Sequence, residues 1–481
     1  MGLGWRGEGG CVDREKTMKV LLLNPPLYFH NGNPVSMDTS VPPLGVLYLA
    51  GYINEYSDTF QAEVVDMSAE RISLVDMVAR IKQESPFVVG ISAMTPQLQG
   101  CLELAQAIND SKSGSLVFLG GSHISADPYF IMRFSRIFHY GISGEAEKTF
   151  LSSLERLVVR GVLPVLQRGE CVQDLDIIPF PKYDRKIYNG RQSMVFSRGC
   201  PYNCYYCSRP AIDNKVRYRS AKNMFEELKT SNGKVDFQDD TFTLDKARVV
   251  ELCLAIMYGG LKIDWRCNTR IDLVNEELLR FMKKAGCSLI HFGIEAGNEE
   301  IRNQVVGKSF TNKEIYEVIK LCKRIGIKTA GYFILGHPGE NYATLNDTKK
   351  MIFTSGIDLL GLSLPTPFPG SRLYEMAQTD RVINEEIIDD FARKELGEGY
   401  LGNYPVFISS HFSQDYLYDF MRRINRRFYF SFRILWGRLR EDIFSFRKIR
   451  QDAKDFISLF LRGVSSRKPY VQRRNYERNK V

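Results

Sequence analysis

At 481 residues the chain is long for a single hydrophobic core, and two or three domains are expected. Hydrophobic content of 44% with 25% charged residues reads as soluble and globular, and no apolar run reaches the roughly eighteen residues of a membrane span. Ten cysteines without regular pairing, three of them clustered, suggest a reducing cytoplasm rather than a disulfide framework. The formal charge of +9 is unevenly placed, with RRINRR and RKPYVQRRNYERNK both beyond residue 420. A solvated basic helix and a disordered end account for these clusters better than nucleic acid does.

Residues 1–17 are Gly-rich and polar, without the apolar core of a signal peptide, and are expected to be a disordered extension. Arg6 stands where a myristoylation signal needs Ser or Thr. Folded structure is expected from Met18. Strands are predicted over 19–24, 62–66, 87–92, 115–121 and, more weakly, 136–144. Helices are predicted over 42–56, 72–85, 98–110 and from Glu145 onward. Apolar runs alternating with helices indicate a doubly wound, Rossmann-like parallel sheet over residues 18–170. Ligands of such sheets lie outside the carboxyl ends of the strands. Those ends carry Asn24 and Pro25, Asp66, Ser92 to Thr95, Gly120, Gly121, His123 and Glu145. No G-x-G-x-x-G follows the first strand, which disfavours a dinucleotide. A degenerate fold that only packs is the rival reading. The I-P-F-P run within 171–189 prevents regular structure and marks a linker.

From residue 190 to 390, βα units repeat. Strands are predicted at 194–199, 235–242, 263–270, 289–297, 328–336 and 359–367. Amphipathic segments lie between them, the one over 312–325 stopped by a C-cap at Gly326. Six parallel strands with helical crossovers make a partial (β/α)6 TIM-like barrel, whose site belongs at the C-terminal strand ends. Directly after the first of these strands stands SRGCPYNCYYCSRP, with Cys200, Cys204 and Cys207 at C-x3-C-x2-C spacing. Three thiols in eight residues can wrap one metal centre, and thiolates favour zinc or iron–sulfur. A structural zinc or a closed cubane wants four protein ligands, so a trio leaves one coordination position open. A zinc knuckle with a distant fourth ligand, or three unrelated buried cysteines, are the alternatives.

This loop, with Tyr206 before its last cysteine, resembles the cluster loop of the radical S-adenosylmethionine (SAM) enzymes. The resemblance implies a [4Fe–4S] cluster held by Cys200, Cys204 and Cys207, with the fourth iron binding SAM. It also implies an external electron donor such as flavodoxin or ferredoxin. Further strand ends resemble the family's SAM contacts: Asp239 and Asp240 after the second strand, Arg270 after the third, Glu295 to Gly297 after the fourth, and Gly336 to Glu340, with His337, after the fifth. Ala296 departs from the usual Ser after the fourth. The stretch around Pro367 resembles the element near the adenine. Each of these alone is also ordinary turn or capping chemistry.

The set NPP, GGSH and SGEAE ahead of such a loop resembles the cobalamin-binding domain fused to many radical SAM enzymes, which implies cobalamin over that sheet edge. D-x-H-x-x-G is absent, so the resemblance implies no axial histidine of that motif; His123 is expected to line the pocket, the alternative being a histidine bonded to backbone in a tight turn. Residues 391–465 read as a helical C-terminal region and 466–481 as a disordered basic tail. The function expected is cobalamin-dependent methylation of an unactivated carbon in a small molecule. The alternatives are a cyclase resembling the anaerobic magnesium-protoporphyrin monomethyl ester cyclase, a non-catalytic cobalamin or iron–sulfur protein, and a zinc-knuckle nucleic-acid protein. A methylthiotransferase is disfavoured, since no second cysteine trio lies upstream.

Overall fold

A computed structural model describes residues 17–36, 41–188, 190–212, 215–397, 411–432 and 434. The extension before residue 17 and the basic tail at 466–481 lie outside the described residues. The first half opens with β1 (Met18–Asn24), a hairpin of β2 (Tyr28–His30) and β3 (Asn33–Val35), α1 (Leu44–Tyr56) and β4 (Phe60–Asp66). It continues through α2 (Leu74–Glu84), β5 (Val88–Ser92), α3 (Leu98–Asp110) and β6 (Leu116–Gly120). Short helices α4 (Ser122–Ala126) and α5 (Phe130–Arg133) lead to β7 (Tyr140–Ser143), α6 (Glu147–Arg160) and β8 (Leu166–Arg168).

Six of these strands form one sheet through five parallel pairings, in the order β4-β1-β5-β6-β7-β8. Strand β1 shows why it forms: Leu21 and Leu23 enter the core beneath α2 and α3, while Val20 and Leu22 enter the opposite core beneath α1 and α6. A strand buried on both faces must be apolar wherever it is buried, and the buried stretch Val20–Leu23 is. The expected doubly wound domain is present. Two elements exceed the expectation. Strand β8 extends the sheet edge, and the β2–β3 hairpin turns on Asn31 (φ 49°) and Gly32 (φ 76°). Asn-Gly is the favoured pair for that turn, so the signal was in the sequence.

The second half comprises β9 (Gln192–Met194), β10 (Ser197–Arg198), α7 (Arg209–Ile212), β11 (Arg217–Tyr218), α8 (Ala221–Lys229) and β12 (Lys234–Phe237). Then follow α9 (Lys246–Tyr258), β13 (Asp264–Thr269), α10 (Glu276–Lys284), β14 (Cys287–Glu295), α11 (Asn312–Ile325) and β15 (Lys328–Ile334). The chain continues into α12 (Tyr342–Thr354), β16 (Leu359–Ser363), α13 (Arg372–Thr379), α14 (Ile387–Ala392) and α15 (Gln414–Tyr429). Strands β9, β12, β13, β14, β15 and β16 pair in sequence order, all parallel, and the outer two do not pair with each other among the described residues. This is the expected open, six-stranded partial barrel.

The expected strand at 194–199 is divided: β9 enters the barrel sheet, whereas β10 leaves it to pair antiparallel with β11. The open edge is covered by α15, whose Tyr429 hydroxyl donates to Leu360 O (2.8 Å) and accepts from Leu360 N (3.1 Å) on β16. Gly326 caps α11 in the left-handed region (φ 86°), as its position suggested.

The two halves are not independent. Leu373, Ala377, Ile387 and Phe391 from α13 and α14 return to pack in the core beneath α3 of the first domain. Gln99, buried on α3, donates to Phe391 O (3.0 Å) and Gly397 O (2.9 Å). No described helix is long and apolar enough to cross a membrane.

Candidate active site

The cysteine-bearing loop, residues 199–208, rises from the β10–β11 ladder. Gly199 adopts φ +89°, and a Cβ there would stand 2.2 Å from Lys215 O, so only glycine closes the foot of the loop. Cys200, Cys204 and Cys207 all line one cavity of about 690 Å³ at the C-terminal ends of the barrel strands. Cys207 N donates to Cys204 O (2.9 Å), a turn that keeps these two residues together. Burial pushes the Cys204 and Cys207 thiols upward, so holding them as thiolates takes a cationic partner such as a metal centre.

The tyrosines between the cysteines fix the loop to the barrel. Tyr205 is bonded to His337 Nδ1 (2.9 Å), and its carbonyl accepts from Leu373 N (2.8 Å). Tyr206 donates to Glu295 Oε1 (2.7 Å). Glu295, buried at the end of β14, has φ +69°, and the pairing with β15 shifts register just before it. A non-glycine residue in this region is strained and must be held by its surroundings. Here His337 Nε2 lies 3.3 Å from Glu295 O, and Lys308 Nζ lies 3.3 Å from its carboxylate. The turn carrying His337 is itself held by Glu340, whose Oε2 accepts from Gly336 N (2.7 Å) and His337 N (3.1 Å). Burial keeps His337 neutral to about pH 4 and lifts Glu340 to about 7.

Arg270 lines the cavity with its guanidinium 3.8 Å from the Tyr202 ring centroid, steadied by Asp272 (2.8 and 2.9 Å). Asp240 also lines it, in a two-pronged pair with Arg209 (2.8 and 3.0 Å). Its neighbour Asp239 is turned away. Asp239 accepts from the Ser197 hydroxyl and from Phe196 N (3.2 Å), anchoring the segment that leads into the cysteine loop. Alternation of side chains along a strand end separates the two aspartates. Gly297 does not line the cavity either: its N–H donates to Thr348 Oγ1 (2.9 Å), and a Cβ would stand 2.4 Å from the Thr348 backbone. Its glycine serves close packing of β14 on α12. The 365–368 turn contributes Pro365, Thr366 and Phe368 to the lining, but not Pro367.

A second cavity, with about 310 Å³ of room and open to solvent, lies between the first domain's sheet edge and the barrel. Ser92, Gly120, Gly121 and Glu145 line it from the sheet; Arg198, Arg209 and Asp240 line it from the barrel side. Gly121 has φ +99°, and a Cβ would stand 2.6 Å from Ala93 O. At Gly120 a Cβ would meet nothing nearer than Ile142 O at 3.9 Å, so the strand end lies bare toward the cleft. Four expected residues sit elsewhere. Asn24 Oδ1 and Pro25 O both accept from Gln97 Nε2 (3.0 and 2.7 Å), closing a turn away from the cleft. Thr95 and His123 bond each other (3.1 Å), with the His123 ring edge-on to Phe130. His123 is thus buried behind the edge rather than lining the pocket, which corrects the sequence expectation.

Burial pushes the His123 imidazole down to about 4, against a weak pull from Asp127. Its folded value lies below its unfolded one, so its contribution to stability is complete above about pH 6.5 and is lost as pH falls toward 4. Carbon-13 NMR of labelled histidine should show this ring neutral at pH 5.5; a titration near 6.5 would contradict its buried placement.

Sequence reasoning missed Arg209, Lys308, Glu147 and Arg198, and read His337 only as part of the turn that closes the fifth barrel strand. Arg198 and Arg209 flank the cysteine trio directly, a signal that position alone offered. His337 and Lys308 come from loops whose partners are set only by the fold.

The donor sets fit the cofactors these shapes suggest: three thiols, with no fourth described cysteine, lining one roomy cavity, and a bare glycine edge for a broad flat ligand. Comparison with known proteins agrees. Residues 35–153 match the B12 binding domain, and residues 194–352 match the radical SAM superfamily. An uncharacterized methyltransferase of Pyrococcus horikoshii is 29% identical over 447 residues, covering 87% of this chain and 94% of that protein. The anaerobic magnesium-protoporphyrin IX monomethyl ester cyclase of Rubrivivax gelatinosus is 26% identical over 458 residues, covering 86% of this chain and 81% of that protein. In fold, the chain is similar to the radical SAM methyltransferase TsrM of Kitasatospora setae with cobalamin and [4Fe–4S] cluster bound: TM-score 0.65, 20% identity, 76% of this chain and 78% of that one. The cofactors implied are a [4Fe–4S] cluster, SAM and cobalamin. With a B12 binding domain ahead of a radical SAM domain, the chain has the domain arrangement of the cobalamin-binding-domain radical SAM enzymes, and its relatives include radical SAM methyltransferases and the magnesium-protoporphyrin ester cyclases.

Proposed function

We propose that this protein is a cobalamin-dependent methyltransferase acting on a carbon of a small molecule in the cytoplasm, with an external donor such as flavodoxin or ferredoxin supplying electrons. The observation that carries the reading is the meeting of the two cavities. Among the described residues, Arg209 and Asp240 alone line both the cysteine cavity and the glycine-edged cleft. A substrate carbon near this pair lies within reach of chemistry from either side.

When bound, the cofactors supply a 5′-deoxyadenosyl radical from SAM on the cluster side and a transferable methyl group on the cobalamin side. The chain's own share is binding, orientation and exclusion of water. Cys200, Cys204 and Cys207 would hold three irons. Glu295, kept at a fixed angle by Tyr206, Lys308 and His337, would accept hydrogen bonds from SAM, with Arg270 and Asp240 beside it. Ser92, Gly120 and Gly121 would let the corrin approach the strand ends. We further assign residues 18–170 to the cobalamin domain, 171–189 to the linker, 190–390 to the barrel and 391–465 to a C-terminal region, of which 398–410 and 435–465 lie outside the described residues.

The test supplies SAM with a deuterated methyl group and a small-molecule extract of the source cells. A product carrying the whole labelled methyl supports this reading. The similarity to the magnesium-protoporphyrin ester cyclase favours a second reading, in which SAM is consumed and cobalamin bound but no label enters the product.

A further inference from the structure

The foot of the cysteine loop forms part of the wall of the other cavity. Strands β10 and β11 pair Arg198 with Arg217 at the base of the loop, one residue outside Gly199 and two outside Cys200. Both guanidiniums turn into the first domain. Arg217 donates to both oxygens of Glu145 (2.6 and 2.9 Å). Arg198 donates to Glu147 Oε1 (2.6 Å), lies 3.3 Å from Glu145 Oε1, and has its guanidinium 5.8 Å from the Tyr48 ring centroid. Burial pushes the Glu145 carboxyl up, but the hydrogen bonds from Arg217 and the charge of Arg198 outweigh it and hold Glu145 below the usual carboxylate range.

Glu145, Glu147, Arg198 and Tyr48 all line the glycine-edged cleft. Glu147 is 5% exposed and opens helix α6, where the helix dipole also favours its charge. Separating such buried charges leaves each uncompensated, which is costly, so the two arginines and two carboxylates move as one unit. The locked glycine at 199 leaves little slack between that unit and Cys200.

We infer that Arg198 and Arg217 are positioning residues, clamped by Glu145 and Glu147, through which a corrinoid seated in the cleft steadies the cysteine loop. The inference rests on the function proposed above. It requires that cobalamin and cluster strengthen one another's binding by the same factor, since coupling between two sites is reciprocal.

The test uses the full-length protein in two paired measurements. One is the dissociation constant of hydroxocobalamin by equilibrium dialysis, with and without reconstituted cluster. The other is the equilibrium affinity for the cluster, from iron retained in competition with a ferrous chelator, with and without hydroxocobalamin. In the wild type both factors should be about tenfold and equal, within the usual range of coupling. Arg198→Met should bind each cofactor separately, with both factors near one, while Arg198→Lys should restore part of the coupling. A residue that merely touched the corrin would shift both dissociation constants alike and leave the ratio intact. Glu147→Gln, which breaks the clamp from the other domain, should lose the coupling too and serves if Arg198→Met does not fold. Coupling absent from the wild type, or unchanged in the folded variants, would overturn the clamp alone. A wild type that retains no hydroxocobalamin would overturn both the clamp and the functional reading.

Discussion

Replacing Cys204 by Ala should reduce 5′-deoxyadenosine release from SAM to background in anaerobically reconstituted protein. Cys204 is the most buried of the trio, and all three thiols line the same cavity. With one of three irons lacking its thiolate, a cluster open at its fourth iron has only two anchors left. No other described cysteine lines that cavity: Cys253, Cys267, Cys287 and Cys322 are buried in the hydrophobic core of the barrel. Iron and sulfide content should fall together with activity, while far-ultraviolet circular dichroism should be little changed, because the loop is also held by Tyr205 and Tyr206. A Cys204→Ala protein that still cleaved SAM would remove the iron-ligand assignment.

The second large effect is expected from Gly120→Leu. A Cβ at Gly120 meets nothing nearer than 3.9 Å, so a leucine there extends into the cleft rather than into the core. It should weaken hydroxocobalamin retention at least about a hundredfold, a loss of about 2.8 kcal/mol, while leaving cluster content intact. The neighbouring glycine is not an equivalent test. At Gly121 the positive φ and the contact 2.6 Å from Ala93 O mean that any side chain strains the sheet edge itself. Unchanged cobalamin binding in Gly120→Leu would separate the cleft from the cofactor.

Much of this architecture was legible in the sequence because both domains are parallel sheets. Their central strands are apolar on both faces, as Val20 to Leu23 illustrate, and glycines and prolines punctuate the crossovers. The cysteine trio was legible because its ligand spacing is local. What the sequence hid was direction. Asp239 and Asp240 are adjacent and chemically alike, yet one anchors the chain and the other faces the cavity. His123 follows a glycine pair at a strand end and still turns inward to Thr95. Pairs such as Tyr205–His337 and Arg217–Glu145 join residues 132 and 72 positions apart, which no local pattern encodes. The Asn31-Gly32 hairpin is a different matter, since its turn signal was present and went unread.

The central claim is that one chain joins radical cleavage of SAM to a cobalamin site. Its most direct test is anaerobic reconstitution with iron, sulfide and hydroxocobalamin, desalting, then addition of dithionite and SAM. Brown protein that retains cobalamin after desalting and releases 5′-deoxyadenosine is the predicted result. Colourless protein carrying zinc, or protein that binds both cofactors without consuming SAM, would contradict it.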